Sequence, residues 1–153
     1  MKAYHCEGCG SLVFFDNVSC IKRGRVLGFL PDYGELSALE PAENGHWKAL
    51  RDSGNPRLYR SCNNGQQHQI CNWLVAAEDA NPFCVSCRLN ETIPNLEVAG
   101  NRSRWHRLEQ AKRRLIYTIL SLGLPMGCVP PNSGPGDQRS RAITASGQIE
   151  KSA

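Results

Sequence analysis

Long apolar runs are missing from this sequence. The most apolar stretch, Leu115 to Leu124, is broken by Tyr117, Thr118 and Ser121, and a membrane span takes about 20 predominantly apolar residues. The start, Met1-Lys2-Ala3-Tyr4-His5-Cys6, is followed by no apolar core and no small-residue cleavage site. The expectation is therefore a cytoplasmic, reducing setting in which cysteines stay as thiols. Aromatic residues make up 7% of the 153 residues, and the net charge of +4 is a mild excess that admits a nucleic-acid partner without requiring one. Histidine is scarce too. His5, His46, His68 and His106 include no pair four residues apart, so no His-Glu-x-x-His helix exists to set two imidazoles on one face with a glutamate that activates water. No catalytic residue is assigned, and the chain is not expected to be an enzyme.

What the sequence has in plenty is cysteine. Seven of its eight cysteines fall between Cys6 and Cys87, several at two-residue spacings. In a reducing compartment that pattern points to metal before disulfides. Cys84-Val85-Ser86-Cys87 is a two-residue knuckle, a loop that turns both sulfurs toward one ion. Cys62 and Cys71 lie upstream and would complete a closed four-thiolate zinc site, with ligands at about 2.3 Å. The eight residues between Cys62 and Cys71 exceed the usual knuckle, and His68 is an alternative ligand through His68-x2-Cys71. Cys62 is preferred, because four cysteines suit a structural site.

Cys6-Glu7-Gly8-Cys9 is the second knuckle, followed by Cys20. A zinc ribbon would place its fourth ligand three residues beyond Cys20, where this chain has Arg23. A guanidinium stays protonated and has no acceptor lone pair. This site is left with three cysteines, to be completed by a water or by His46 if its loop returns, or else left empty, and Arg23 is expected to pair with Glu7 or Asp16. Cys128 stands alone as an unpaired thiol.

Five stretches follow from the patterning. Residues 1–30 read as a first, degenerate zinc-ribbon-like hairpin, with β-formers at Leu12-Val13-Phe14-Phe15 and a turn at Asp16-Asn17. Residues 31–58, punctuated by Pro31, Gly34, Pro41, Gly45, Gly54 and Pro56, read as a loop-rich connection with a strand around His46 to Leu50. Residues 59–98 form the second zinc-binding hairpin, with a strand at Asn72 to Val75. Residues 101–123 are an amphipathic helix, capped by Asn101 and stopped by Gly123 and Pro125. Its stripe is Trp105, Leu108, Ala111, Leu115, Ile119 and Leu122, widened by Ile116 and Leu120. Zinc hairpins offer that stripe little cover, so it is expected to dock on a protein partner, a neighbouring domain or a second copy. Residues 126–153, dominated by Gly, Pro, Ser and Thr, read as a disordered tail. The fold class is thus a small metal-bound α+β chain: zinc-ribbon-like β-hairpins, one amphipathic helix and a disordered tail.

At these residues the chain resembles the amino-terminal part of a zinc-binding metallopeptidase family whose members begin with zinc-ribbon modules. The resemblance runs over residues 3–125. It is carried by Cys6-x2-Cys9, Val13-Phe14-Phe15-Asp16-Asn17, Leu27 to Asp32, Gly34 to Pro41, Tyr59-Arg60-x-Cys62, Cys71-Asn72-Trp73, Cys84-x2-Cys87-Arg88-Leu89-Asn90, Ala111 to Leu115 and Leu122 to Pro125. It implies zinc at Cys6, Cys9, Cys20, Cys62, Cys71, Cys84 and Cys87. The peptidase motif that the resemblance would place after the helix is absent, so the expectation is a non-catalytic zinc module from a truncated or frame-shifted product. The alternative is a zinc ribbon that binds nucleic acid through the basic helix residues Arg102 to Arg114. An iron electron carrier fits less well, because the second cluster lacks paired two-residue knuckles.

Overall fold

The computed structural model describes residues 2–52, 54 and 57–126; residues 127–153 of the expected disordered tail, with Cys128, lie outside the described residues, while Met126 packs against the core. The chain opens with a two-strand hairpin, β1 (Tyr4–His5) and β2 (Leu12–Val13), that presents the first knuckle at its turn. Five antiparallel strands follow as a meander: β3 (Leu27–Leu30), β4 (Glu35–Pro41), β5 (Trp47–Ala49), β6 (Leu58–Ser61) and β7 (Leu74–Ala76). A short helix α1 (Asn63–His68) sits between β6 and β7, and α2 (Asn101–Ser121) closes the fold. The sheet curls until its ends meet: Phe29 N–H donates to Asn72 O at 2.9 Å, beside a parallel bridge from Phe29 to Trp73.

Half of that sheet lies where the sequence reads as a loop-rich connection. β4 carries Leu36-Ser37-Ala38-Leu39 buried on both faces, so it shows none of the alternation that marks a half-exposed strand. The prolines and glycines around it mark strand ends and turns rather than the absence of strands.

One core unites the two cysteine clusters. Phe15, Phe29 and Trp73 are fully buried. Phe15 meets Phe29 edge-on at 4.9 Å, and Trp73 lies 4.6 Å from Phe29. Cys6, Cys20, Cys62, Cys84 and Cys87 belong to the same cluster, and so does Ile116 of α2. A smaller cluster of Leu30, Leu39, Ala49, Tyr59 and Leu74 lies across the sheet, with Trp47 against it.

The long helix departs from expectation at its start and in its docking. Its N-cap is Gly100 in the left-handed region at φ 83°, not Asn101. Asn101 is already helical, and its side chain donates to Asn95 O. The end is as read: Gly123 N–H donates to Leu120 O and Leu124 N–H to Ile119 O, a Schellman closure. The buried side of α2 is Trp105, Glu109, Arg113 and Ile116, lying on the chain's own cysteine-bearing body. Tyr117 packs on Phe15 and Phe29, at 5.3 and 5.9 Å. Half of the expected stripe does turn inward, with Trp105 and Ile116 buried and Ile119 and Leu120 packed on the core, while Glu109 and Arg113 take the remaining inward positions. Leu108, Leu115 and Leu122 are 70%, 59% and 67% exposed. No described helix is long and apolar enough to cross a membrane.

Candidate metal centres

The carboxy-proximal centre gathers Cys62, Cys71, Cys84 and Cys87, whose sulfurs all lie within 4.8 Å of one another. Cys71 Sγ and Cys84 Sγ are 3.7 Å apart. A tetrahedral zinc with Zn–S of about 2.3 Å spaces its sulfurs by about 3.8 Å, so the donor set fits this ion in kind, number and spacing. Cys62 follows β6 directly and is the residue before α1; Gly65 and Gln66 N–H both donate to Cys62 O. That helical turn, ended by Gln69 in the left-handed region, lets the long Cys62–Cys71 interval close like a knuckle. Cys84 N–H points at Cys62 Sγ and Cys87 N–H at Cys84 Sγ, each at 3.4 Å.

The electrostatics of the sulfurs express their crowding. Donation from Cys71, then from Cys84 and Cys87, holds Cys62 far below the ordinary thiol value. Cys71 and Cys84 are pushed well up, chiefly by their contact with the Cys62 sulfur. Thiols crowded in this way form a site whose protons a dication would displace.

His68 does not join this cluster. Its ring lies 5.4 Å from that of Trp105, and its carbonyl accepts from the Arg102 guanidinium at 2.7 Å.

The amino-terminal centre gathers Cys6, Cys9 and Cys20, again within 4.8 Å, with Cys9 and Cys20 sulfurs 3.5 Å apart. Burial pushes the Cys6 thiol up. Cys9 is lowered to about 6, first by the Ser11 hydroxyl 3.3 Å away and then by the Ser11 backbone. Arg23 is exposed, and neither expected partner takes it. Glu7 Oε2 accepts from Ala38 N–H at 2.9 Å, and Asp16 pairs with Arg114 at 2.6 Å and lies 3.7 Å from Arg113. Both acids are better used in fixing the hairpin to β4 and to α2.

Two residues unmarked by motif reasoning hold the centres in place. Asn72, buried beside Cys71, donates through Nδ2 to Phe15 O at 2.7 Å and so ties the second centre to the first hairpin. Glu109, 4% exposed, receives Trp105 Nε1 at 3.1 Å, Asn90 Nδ2 at 3.0 Å and Lys112 Nζ at 3.0 Å. Its other oxygen is 3.9 Å from Cys87 Sγ and 2.9 Å from Lys112 Nζ. A zinc-bound thiolate has no proton to give, and Lys112 covers that oxygen instead. The signal in the sequence was a lone acid in a basic helix, four residues after a tryptophan.

Gly65 tests the packing around the second centre. A Cβ there would meet Cys71 O at 2.3 Å, a backbone atom next to a ligand. Gly65→Ala is expected to cost about 1–3 kcal/mol of stability by overpacking, and to weaken zinc retention in a chelator competition. Retention equal to that of the native chain would show that the α1–Cys71 contact is not part of the site.

A curled sheet whose core is closed by two clusters of thiols defines a zinc-binding domain of the ribbon class. The chain belongs to the zinc-ribbon domain family, whose profile matches residues 3–98. It is 30% identical over 126 residues to Uncharacterized protein Mb2598c of Mycobacterium bovis and to Uncharacterized protein Rv2568c of Mycobacterium tuberculosis. The match covers 82% of this chain and 33% of each relative, so the chain spans about a third of the length of these relatives. No solved structure matches it.

Proposed function

We propose that this chain is a non-catalytic, cytoplasmic zinc module that presents one face of α2 to a protein partner, and that it corresponds to the amino-terminal region of the longer metallopeptidase-like proteins it resembles. The observation that carries this reading is the continuity of four buried sulfurs, Glu109 and α2. In that arrangement the metal site organises a helix rather than a substrate cleft.

The partner face is Leu108, Leu115 and Leu122, repeating at seven residues and exposed. Arg104 and Arg107 flank it, and the only acid of the helix, Glu109, is buried. A second copy would bring like charges together, so the face suits a helix with acidic borders. Joint replacement of Leu108→Lys and Leu115→Lys is expected to shift stability by no more than about 0.5 kcal/mol, because exposed positions carry little packing. A loss of core size in a denaturant titration would mean that the face is already packed, and would dismiss the docking reading.

Nucleic-acid binding is the weaker alternative. Arg102, Lys112, Arg113 and Arg114 are engaged with His68 O, Glu109, Ile70 O and Asp16. That leaves few free cations on α2 for phosphates. A salt-sensitive gel shift would restore that reading.

The deciding experiment is elemental analysis of the purified chain with an accurate mass. Two zincs per chain support both centres. One zinc leaves the Cys62–Cys87 centre alone, and none removes the basis of the proposal.

A further inference from the structure

The two turns of the amino-terminal centre are built alike. In the first, Gly10 N–H donates to Cys6 O at 2.7 Å; in the second, Gly24 N–H donates to Cys20 O at 2.7 Å. Gly10 and Gly24 both take the left-handed region, at φ 70° and 63°, where an L side chain is strained. The residue before the glycine is Cys9 in the first turn and Arg23 in the second. Arg23 therefore holds the corner from which the first turn sends its second sulfur.

Among the described residues there is no substitute at that corner. Among the described His, Cys, Asp and Glu side chains, only Cys6, Cys9 and Cys20 bring ligand atoms together there. Glu7 is held by Ala38 N–H, and His5 is exposed on β1, next to the buried Cys6. Glu40 shares an open groove with Arg23 but pairs with Arg25 at 3.0 Å. Three thiolates also make a soft, electron-rich donor set that matches zinc. The carboxy-proximal centre is different in kind, with four sulfurs of its own.

We propose that the amino-terminal centre is a three-thiolate site whose fourth position is taken by a small exogenous anionic thiol, with Arg23 presenting the positive charge that favours it. This rests on reading the chain as a zinc module. The thiol binds as its thiolate and releases its proton to solvent, and no electron transfer is involved. A residue that removes one protein ligand thus turns a closed structural site into one that senses, or exchanges its metal with, the surrounding thiol pool.

The test uses the full chain with cobalt(II) in place of zinc, because its visible absorption reports how many thiolates surround each ion. Glutathione and 2-mercaptoethanol are titrated against the native chain, Arg23→Cys and Arg23→Ala. The native spectrum is expected to change saturably with either thiol, on one of its two cobalts. Arg23→Cys should bind two cobalts in four-thiolate surroundings and answer to neither thiol. Arg23→Ala should keep its response to 2-mercaptoethanol but bind glutathione about two- to five-fold more weakly, the size of one exposed charge pair. Two bound cobalts with a native spectrum indifferent to both thiols would overturn the proposal and leave the zinc module intact. A single bound cobalt in the native chain would overturn it as well, because the amino-terminal centre would then hold no metal. No cobalt at all would defeat the module reading itself.

Discussion

Cys84→Ser is expected to unfold the protein rather than trim its stability. Cys84 is fully buried in the core that holds Phe29 and Trp73, its sulfur lies 3.7 Å from that of Cys71, and it receives Cys87 N–H. A structural zinc site contributes on the order of 10 kcal/mol in peptide systems, against a total domain stability of about 5–15 kcal/mol. Serine keeps the volume but is a poor zinc ligand beside three thiolates, and its hydroxyl would need a new partner in a dry setting. Far-ultraviolet circular dichroism should lose its sheet and helix signal, and tryptophan emission should move to the red as Trp73 meets water. A strong chelator should do the same to the native chain, with zinc restoring it. The variant should not recover on added zinc. A native-like spectrum for Cys84→Ser would mean that the aromatic core folds without the metal.

The contrast with the amino-terminal centre sharpens this expectation. Cys9 is half-exposed and sits on a two-strand hairpin whose place is also fixed by Asn72, Glu7 and Asp16. Loss of metal there removes one of several ties, whereas loss at Cys84 removes the junction of β6, β7, α1 and α2.

The cysteine centres were legible in the sequence because a knuckle is local: two sulfurs three positions apart can hardly avoid one ion once the loop turns. Cys62 required more, since eight residues separate it from Cys71, and only the α1 turn with Gln69 in the left-handed region shortens the path. β4 was hidden by its own success at burial. Leu36 to Leu39 face apolar surroundings on both sides, so no period of two survives, and the bordering prolines read as loop. The helix was found from its apolar period and its glycine stop, but only half of its stripe, Trp105, Ile116, Ile119 and Leu120, turns inward. A stripe of aliphatics marks an inward face only when the core supplies aliphatic contacts. Beside the aromatic rings that take Ile116 and Tyr117, the body presents carbonyls, an asparagine and thiols to α2, and Glu109 and Arg113 answer them. Leu108, Leu115 and Leu122 are then left outside. The pairing of distant hydrogen-bond partners, Asn72 with Phe15 and Arg113 with Ile70, carries no sequence signature at all.

Glu109→Ala puts the coupling between α2 and the second centre to a direct test. The carboxylate is the common acceptor of Trp105, Asn90 and Lys112. Its removal strands a buried indole N–H and leaves the Lys112 ammonium, whose side chain is 24% exposed, without its counter-charge. Breaking one side of a buried pair costs about 3–5 kcal/mol, most of it the uncompensated partner. Glu109→Gln keeps an acceptor for Trp105 but not the charge, so it should lie between the native chain and alanine. If the helix is docked through this network, both variants should raise hydrogen exchange along α2 while the β3–β7 amides stay protected. Zinc retention should fall as well, since Asn90 and Cys87 lose the group that fixes the loop between them. Global and equal loss of protection would instead mean that helix and sheet form one cooperative unit with no separable docking step. Unchanged exchange would mean that Tyr117 and Ile116 hold the helix by packing alone. Reading α2 as organised by the metal centre requires the first of these three results.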